Sequence, residues 1–172
     1  PANAEAQEDI EVRFIDGPAA LIDHDEVAAR AREFDPQLVV CDTSTPSIHE
    51  DVRCAAAIKA AVPEAIVALM GTHASAIPEE TLDMNPSLDV VIRNEADETV
   101  VELARAVRDG RSFGEVEGLI YRDGEGYERS PGRKLIQDLD ALPFVSPFYD
   151  KHLNVRDYFF AAARYPMVMI MT

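Results

Sequence analysis

These 172 residues predict an α/β protein built on a doubly wound parallel sheet, and three observations predict it. Short apolar runs recur at residues 37–42 (QLVVCD), at Ile66–Met70 and at residues 88–92 (LDVVI), as strands do when both faces are buried. Helical patterns follow each run, so strand and helix alternate from Ile10 to Asp109, with crossovers of roughly twenty residues that suit right-handed βαβ units. Two of the runs break at their carboxyl ends into polar residues, Gly71-Thr72-His73-Ala74-Ser75 and Asn94-Glu95-Ala96-Asp97-Glu98. Open α/β sheets take their ligands outside the carboxyl ends of the strands, so these two loops are expected to form part of any small-molecule site.

Each element has a local justification. Residues 10–15 (IEVRFI) alternate with period two and predict a strand, after which Asp16-Gly17-Pro18 turns the chain. Asp23 is placed to cap a helix, with Glu26 at the capping-box position and with Val27, Ala28, Ala31 and Phe34 on one face. Asp35-Pro36 stops that helix. After strand 37–42, Thr45 is read as the cap of the next helix and Pro46 as part of its first turn, where a missing N–H costs nothing. Val52, Ala55, Ala56 and Lys59 or Ala60 mark its stripe. A capped helix start above a strand offers free N–H groups and a positive dipole end to a phosphate, amide or carboxylate, although most βα turns look the same. A short helix near Pro78–Asp83 follows the third run. Val100, Leu103, Ala104 and Val107 fall at i, i+3, i+4 and i+7, and Gly110 follows as the cap. The order is Rossmann/flavodoxin-like over residues 1–110. Residues 111–172 then form a β-hairpin (116–122 and 127–130 around Asp123-Gly124-Glu125-Gly126) and a proline-punctuated linker anchored by Leu135, Leu139 and Leu142. Tyr158, Phe159, Phe160 and Tyr165 make an aromatic patch, and residues 167–171 (MVMIM) read as a further strand.

The net charge of −16 argues against nucleic acid or an anionic membrane as partner, since both need clustered Lys and Arg. A solvated acidic face is the plain reading of that charge. Cys41 and Cys54 make neither a metal spacing nor a disulfide framework, and Cys41 reads as a buried reduced thiol. No apolar run approaches the ~20 residues of a membrane span, and residues 1–9 are polar and acidic, so no leader is expected there. A cytoplasmic location is the expectation.

Recognised catalytic motifs are absent: there is no nucleophile elbow, no P-loop and no G-x-G-x-x-G. His24, His49, His73 and His152 are scattered without an H-x-x-x-H pair, and no dedicated metal site is expected. His73 stands apart because it follows a strand and Gly71, and it has two readings, ligand contact or loop hydrogen bonding. Asp97, Glu98 and Thr99 are explained as first-turn acids and caps, whereas Glu95, just past a strand end, gains nothing from capping. A phosphorylation receiver is the competing reading for an acidic doubly wound domain. Asp42 could be its acceptor, but Arg93-Asn94 supplies no Lys. A flavin module lacks aromatics near these strand ends.

The ordered set IDGPA (15–19), TSTPS (43–47), GTHASAIPEE (71–80), LDVVIRNEADETV (88–100), EGLIYRDGE (117–125), LIQDLDALPFVSPFY (135–149) and RYPMVMIMT (164–172) resembles the N-terminal half of cobalamin-binding radical SAM enzymes. In that family a B12-binding α/β domain precedes a radical SAM barrel. The Asp-Gly-Pro-Ala, Gly-Thr-His and Arg-Tyr-Pro-Met wording is most similar to the hopanoid-biosynthesis branch; anaerobic magnesium-protoporphyrin monomethyl ester cyclases are more distant. The resemblance implies cobalamin as cofactor, held by Thr43, Ser44, Thr45, Gly71, Thr72, His73, Glu95 and Glu98. Asn94 and Ala96 stand where the family's last loop has glycines. No Asp-x-His-x-x-Gly occurs, which implies binding without a protein histidine on cobalt. The family's first strand is expected before Ile10, and the cysteines of its [4Fe-4S] cluster beyond Thr172. The resemblance thus implies S-adenosylmethionine and cluster chemistry in a parent enzyme, a barrel as partner in the same chain, and no catalysis by this piece alone. A sheet lacking a central strand can fill the gap by forming a homo-oligomer. A cofactor-free structural or interaction domain of the same fold is the remaining alternative.

Overall fold

A computed structural model describes residues 1–124 and 126–158. Phe159, Phe160, Tyr165 and the strand expected over 167–171 lie outside the described residues. Among the described residues one five-stranded sheet runs β1 (Leu38–Asp42), β2 (Ile66–Met70), β3 (Val90–Ile92), β4 (Leu119–Asp123) and β5 (Gly126–Arg129), in that spatial order. The first three are parallel, with Leu38 opposite Ile66 and Ala68 opposite Val90. The hairpin β4–β5 adds antiparallel, with Ile92 opposite Leu119. The doubly wound α/β expectation holds, in a mixed rather than wholly parallel sheet.

Alternation along the strands divides the core into two layers. Val67, Leu69 and Val91 point to one face, where they meet Ile48, Val52 and Ala55 of α4 (Ile48–Ala61), Ala74 of α5 (Thr72–Ala76) and Leu82 of α6 (Pro78–Asp83). Ala68, Val90 and Ile92 point to the other, against Leu103 and Ala106 of α7 (Asp97–Asp109). Ala28 and Ala31 of α3 (His24–Phe34) are buried, and Ala31 joins Ile58 and Val62 beside α4. The capping reading of this helix is correct, because Asp23 Oδ1 accepts the Glu26 N–H at 2.9 Å. Gly110 ends α7 at φ 63°, the left-handed turn that closes helices most cheaply with glycine.

Three expectations are corrected. Residues 10–15 form no strand. The sheet ends at β1, and among the described residues no neighbouring strand offers them a ladder, so their side chains pack elsewhere: Arg13 lies over the Phe34 ring and Phe14 meets Phe148 edge-on in α8 (Val145–His152). Thr45 does not cap α4, which starts at Ile48; the Ser44 carbonyl accepts the Ser47 and Ile48 N–H groups through a preceding turn instead. The stretch after Gly71, read as loop, winds into α5.

The N-terminal segment is fastened over α7. Asp9 takes both Arg105 and Arg108, at 2.8 and 2.7 Å, and Asn3 Nδ2 donates to the Asp97 carbonyl from α1 (Ala2–Glu5). A short helix, α2 (Gly17–Ala20), follows, capped by Asp16. No helix among the described residues is long and apolar enough to cross a membrane.

Candidate functional site at the carboxyl rim of the parallel strands

Because β1, β2 and β3 are parallel, their following loops emerge on one rim. Backbone bonds extend the ladders to that rim: the Thr43 N–H donates to the Met70 carbonyl at 2.9 Å, and Arg93 N–H to the Gly118 carbonyl at 2.8 Å. Side chains then join the loops to one another. His73 Nδ1 and Thr45 Oγ1 are 3.3 Å apart, linking the first loop to the second. Ser75 Oγ accepts the Asn94 N–H at 2.9 Å, linking the second to the third.

Gly71 sits where the first two loops touch. Its φ of +109° is one that L side chains rarely adopt, and a Cβ there would fall inside the Thr43 carbonyl oxygen and 2.8 Å from Asp42 Oδ1. The backbone is therefore bare at the centre of the rim because no side chain fits. Around it the groups are small or hydroxylic. Ser44 Oγ and Ser47 Oγ are 2.9 Å apart and exposed, and Thr72 is exposed. Thr43 is buried, its hydroxyl donating to Asp51 Oδ2 at 2.6 Å.

Asn94 adopts φ 61°. Asn is one of the few side chains that tolerate the left-handed region, so the loop keeps the backbone a glycine would give it. Glu95 lies on the same loop and Glu98 in the first turn of α7, but their carboxylates turn to residues 133–136: Glu95 Oε2 accepts the Ile136 N–H at 2.7 Å, and Glu98 Oε2 takes Arg133 Nη1 at 3.0 Å.

The rim is electronegative. Burial raises the Asp42 carboxyl above its ordinary value, and Asp51 nearby adds to the rise while the Thr43 N–H opposes it. Glu50 and Asp51 occupy the first turn of α4, so the dipole end expected to await an anion already faces two carboxylates. Hydroxyl and carboxylate oxygens here accept N–H donors, the groups that amide side chains of a ligand supply. No cluster of His, Cys, Asp and Glu fit for a metal ion occurs among the described residues.

Thr43, Ser44, Thr45, Gly71, Thr72, His73, Glu95 and Glu98 thus share one rim. Arg133 and Ile136, which lock the loops together with Ser75 and Asn94, were not singled out by sequence. Asn94 carried a signal, as a φ-tolerant residue at a glycine position; Arg133 and Ile136 carried none, because their partners are 31 to 41 residues away.

Comparison with known proteins agrees with this arrangement. A family model described as the B12 binding domain matches residues 2–104. An uncharacterized methyltransferase of Pyrococcus horikoshii is 31% identical over 84% of this chain and 31% of its own length. The anaerobic magnesium-protoporphyrin IX monomethyl ester cyclase of Cereibacter sphaeroides is 30% identical over 75% of this chain and 22% of its own. The chain therefore spans less than a third of these relatives. The radical S-adenosylmethionine methyltransferase TsrM of Kitasatospora setae, solved with cobalamin and a [4Fe-4S] cluster, superposes with a TM-score of 0.65 at 21% identity, over 79% of this chain and 26% of that one. The cobalamin-dependent radical enzyme OxsB, solved with aqua-cobalamin and S-adenosylmethionine, gives 0.64 at 15% identity, over 73% and 18%. At these identities the likeness is one of fold. With three strand-end loops joined along a single rim and the family match running through all of them, this chain belongs to the B12-binding domain family.

Proposed function

We propose that the chain holds cobalamin against the rim formed by Thr43, Ser44, Thr45, Gly71, Thr72 and His73 and by the loop carrying Glu95 and Glu98, as part of a larger radical SAM enzyme. The observation that carries this reading is the bare backbone at Gly71, packed on Thr43 and flanked by hydroxyls. The missing Cβ lets the first two loops close on each other, and a corrinoid's side arm would lie along the hydroxyl-lined edge that they form together. Bound cobalamin supplies the chemistry of its cobalt. The chain's own residues would bind and orient it: exposed hydroxyls such as those of Ser44 and Thr72 would accept from corrin amides, and the His73–Thr45 link sets the spacing of two loops. Glu95 and Glu98 act through the backbone of their loop, since their carboxylates are engaged by the linker.

Supporting the wider context, the relatives combine such a domain with methyltransferase or cyclase functions in longer chains. S-adenosylmethionine and a [4Fe-4S] cluster would belong to a barrel in the same parent chain, acting on a hopanoid-like lipid. The Asp-Gly-Pro-Ala and Gly-Thr-His wording supports that substrate class. The free thiols Cys41 and Cys54 fit a reducing cytoplasm.

Titration with hydroxocobalamin tests the reading. A saturable spectral change is the expected result, and Thr45→Trp, at an exposed rim position, should abolish it while leaving the circular dichroism of the fold intact. No change with the intact parent protein would favour the cofactor-free alternative.

A further inference from the structure

The linker does more than leave the domain. Residues 131–138 run across the carboxyl end of β3 and the start of α7, fixed at three points. The Pro131 carbonyl accepts the Gly118 N–H at 2.7 Å. Arg133, with its side chain only 8% exposed, donates Nε to Thr99 Oγ1 at 2.7 Å and Nη1 to Glu98 at 3.0 Å; Nη2 reaches Glu102, and Glu117 stands 3.9 Å away. Three residues on, the Ile136 N–H donates to Glu95 Oε2. Thr99 is itself fully buried, its hydroxyl donating to the Glu117 carbonyl at 3.2 Å.

A planar guanidinium with every edge engaged has one docked geometry. The acids it grips lie on the first turns of α7, directly after the rim loop, and the segment it carries delivers the donor that holds Glu95. Accordingly we infer that Arg133 is a positioning residue for the cofactor. Clamped by Glu98, Glu102 and Thr99, it docks the strap whose Ile136 N–H fixes Glu95, and so it sets the conformation of the 94–98 loop. This rests on the proposed cobalamin site and adds a consequence to it. The segment leading out of the domain and the cofactor rim share one latch, so whatever pulls the strap away loosens the rim, and a bound corrinoid tightens the strap.

Hydrogen exchange and hydroxocobalamin titration on the full chain decide it. Without cofactor, Arg133→Ala should raise amide exchange about tenfold or more both at 131–138 and at 94–98, leaving β1 and β2 unchanged. It should also weaken hydroxocobalamin binding about tenfold. Arg133→Lys, which keeps the charge but not the fork, should recover part of both losses, whereas Arg133→Met, which keeps the bulk alone, should recover neither. Glu102→Ala, at an exposed anchor, serves if Arg133→Ala fails to fold, and should loosen both segments to a lesser degree. Faster exchange confined to 131–138, or unchanged cobalamin affinity in a loosened variant, overturns the inference. If the unaltered chain takes up no cobalamin while 94–98 still loosens with 131–138, the latch stands and the cofactor reading fails.

Discussion

Gly71 packs its α-carbon against the carbonyl of Thr43, so closely that a methyl group there would overlap the oxygen and stand 3.1 Å from the carbonyl carbon. One contact thereby fixes the separation of the first two rim loops. The backbone of Thr43 cannot retreat, because its N–H is bonded to the Met70 carbonyl one residue before the glycine.

Gly71→Ala should therefore destabilise the domain by roughly 2–4 kcal/mol, the sum of a strained positive φ and an overpacked contact with backbone. Urea unfolding monitored by circular dichroism measures it. A cost below ~1 kcal/mol would mean that the two loops can move apart.

Lys59 and Asp89 form a half-buried pair at 2.9 Å, and the same carboxylate oxygen accepts the Val67 N–H while Lys59 also donates to the Ala65 carbonyl. The pair ties α4 to the entries of β2 and β3. Lys59→Met keeps the aliphatic packing but strands a carboxylate, and should cost roughly 1–3 kcal/mol. The double variant Lys59→Met with Asp89→Asn should recover part of that loss in thermal denaturation.

Arg105 first and Arg108 second hold the Asp9 carboxyl well below its ordinary value of 3.8. A depressed carboxylate contributes stability that is present above its unfolded pKa and lost as pH falls through the folded one. The stability difference between the unaltered chain and Asp9→Asn should accordingly be constant from pH 8 to about 5 and shrink below about pH 4. Melting curves across that range show it, and a gap that stays undiminished from pH 5 down to pH 2 would contradict the assignment.

Burial pushes the Cys41 thiol up to about 12, with Cys54 and Asp51 adding to the rise, and raises Cys54 for the same main reason. The thiolate is the reactive species, so a disulfide reagent at pH 8 should label Cys41 of the folded protein far more slowly than a free thiol. Both cysteines should react fully in urea. Rapid labelling of Cys41 without denaturant would show that β1 opens in the folded protein.

How far the site was readable follows from the range of the forces involved. α7 was legible from its stripe and its glycine because both are set within the helix: Leu103 is buried with Val100 and Val107 packed beside it, although Ala106 rather than Ala104 completes the face, and Gly110 turns left-handed. The hairpin declared itself through Asp123-Gly124, but its addition to β3 did not, since pairing Ile92 with Leu119 needs a partner 27 residues away. Residues 10–15 show the opposite failure. Their alternation is a genuine β pattern, yet a strand exists only when another chain segment completes its hydrogen bonds, and among the described residues none does so for them.

By itself the sequence determined strands β1 to β3, the hairpin, helices α3, α4, α6 and α7, and the polar residues at the strand ends, all of it local steric and hydrophobic information. Only the tertiary structure decided which loops touch, through His73 on Thr45 and Ser75 on Asn94, and that Glu95 and Glu98 serve the strap. Those outcomes depend on groups far apart in the chain meeting at hydrogen-bond distance, which local patterning does not encode.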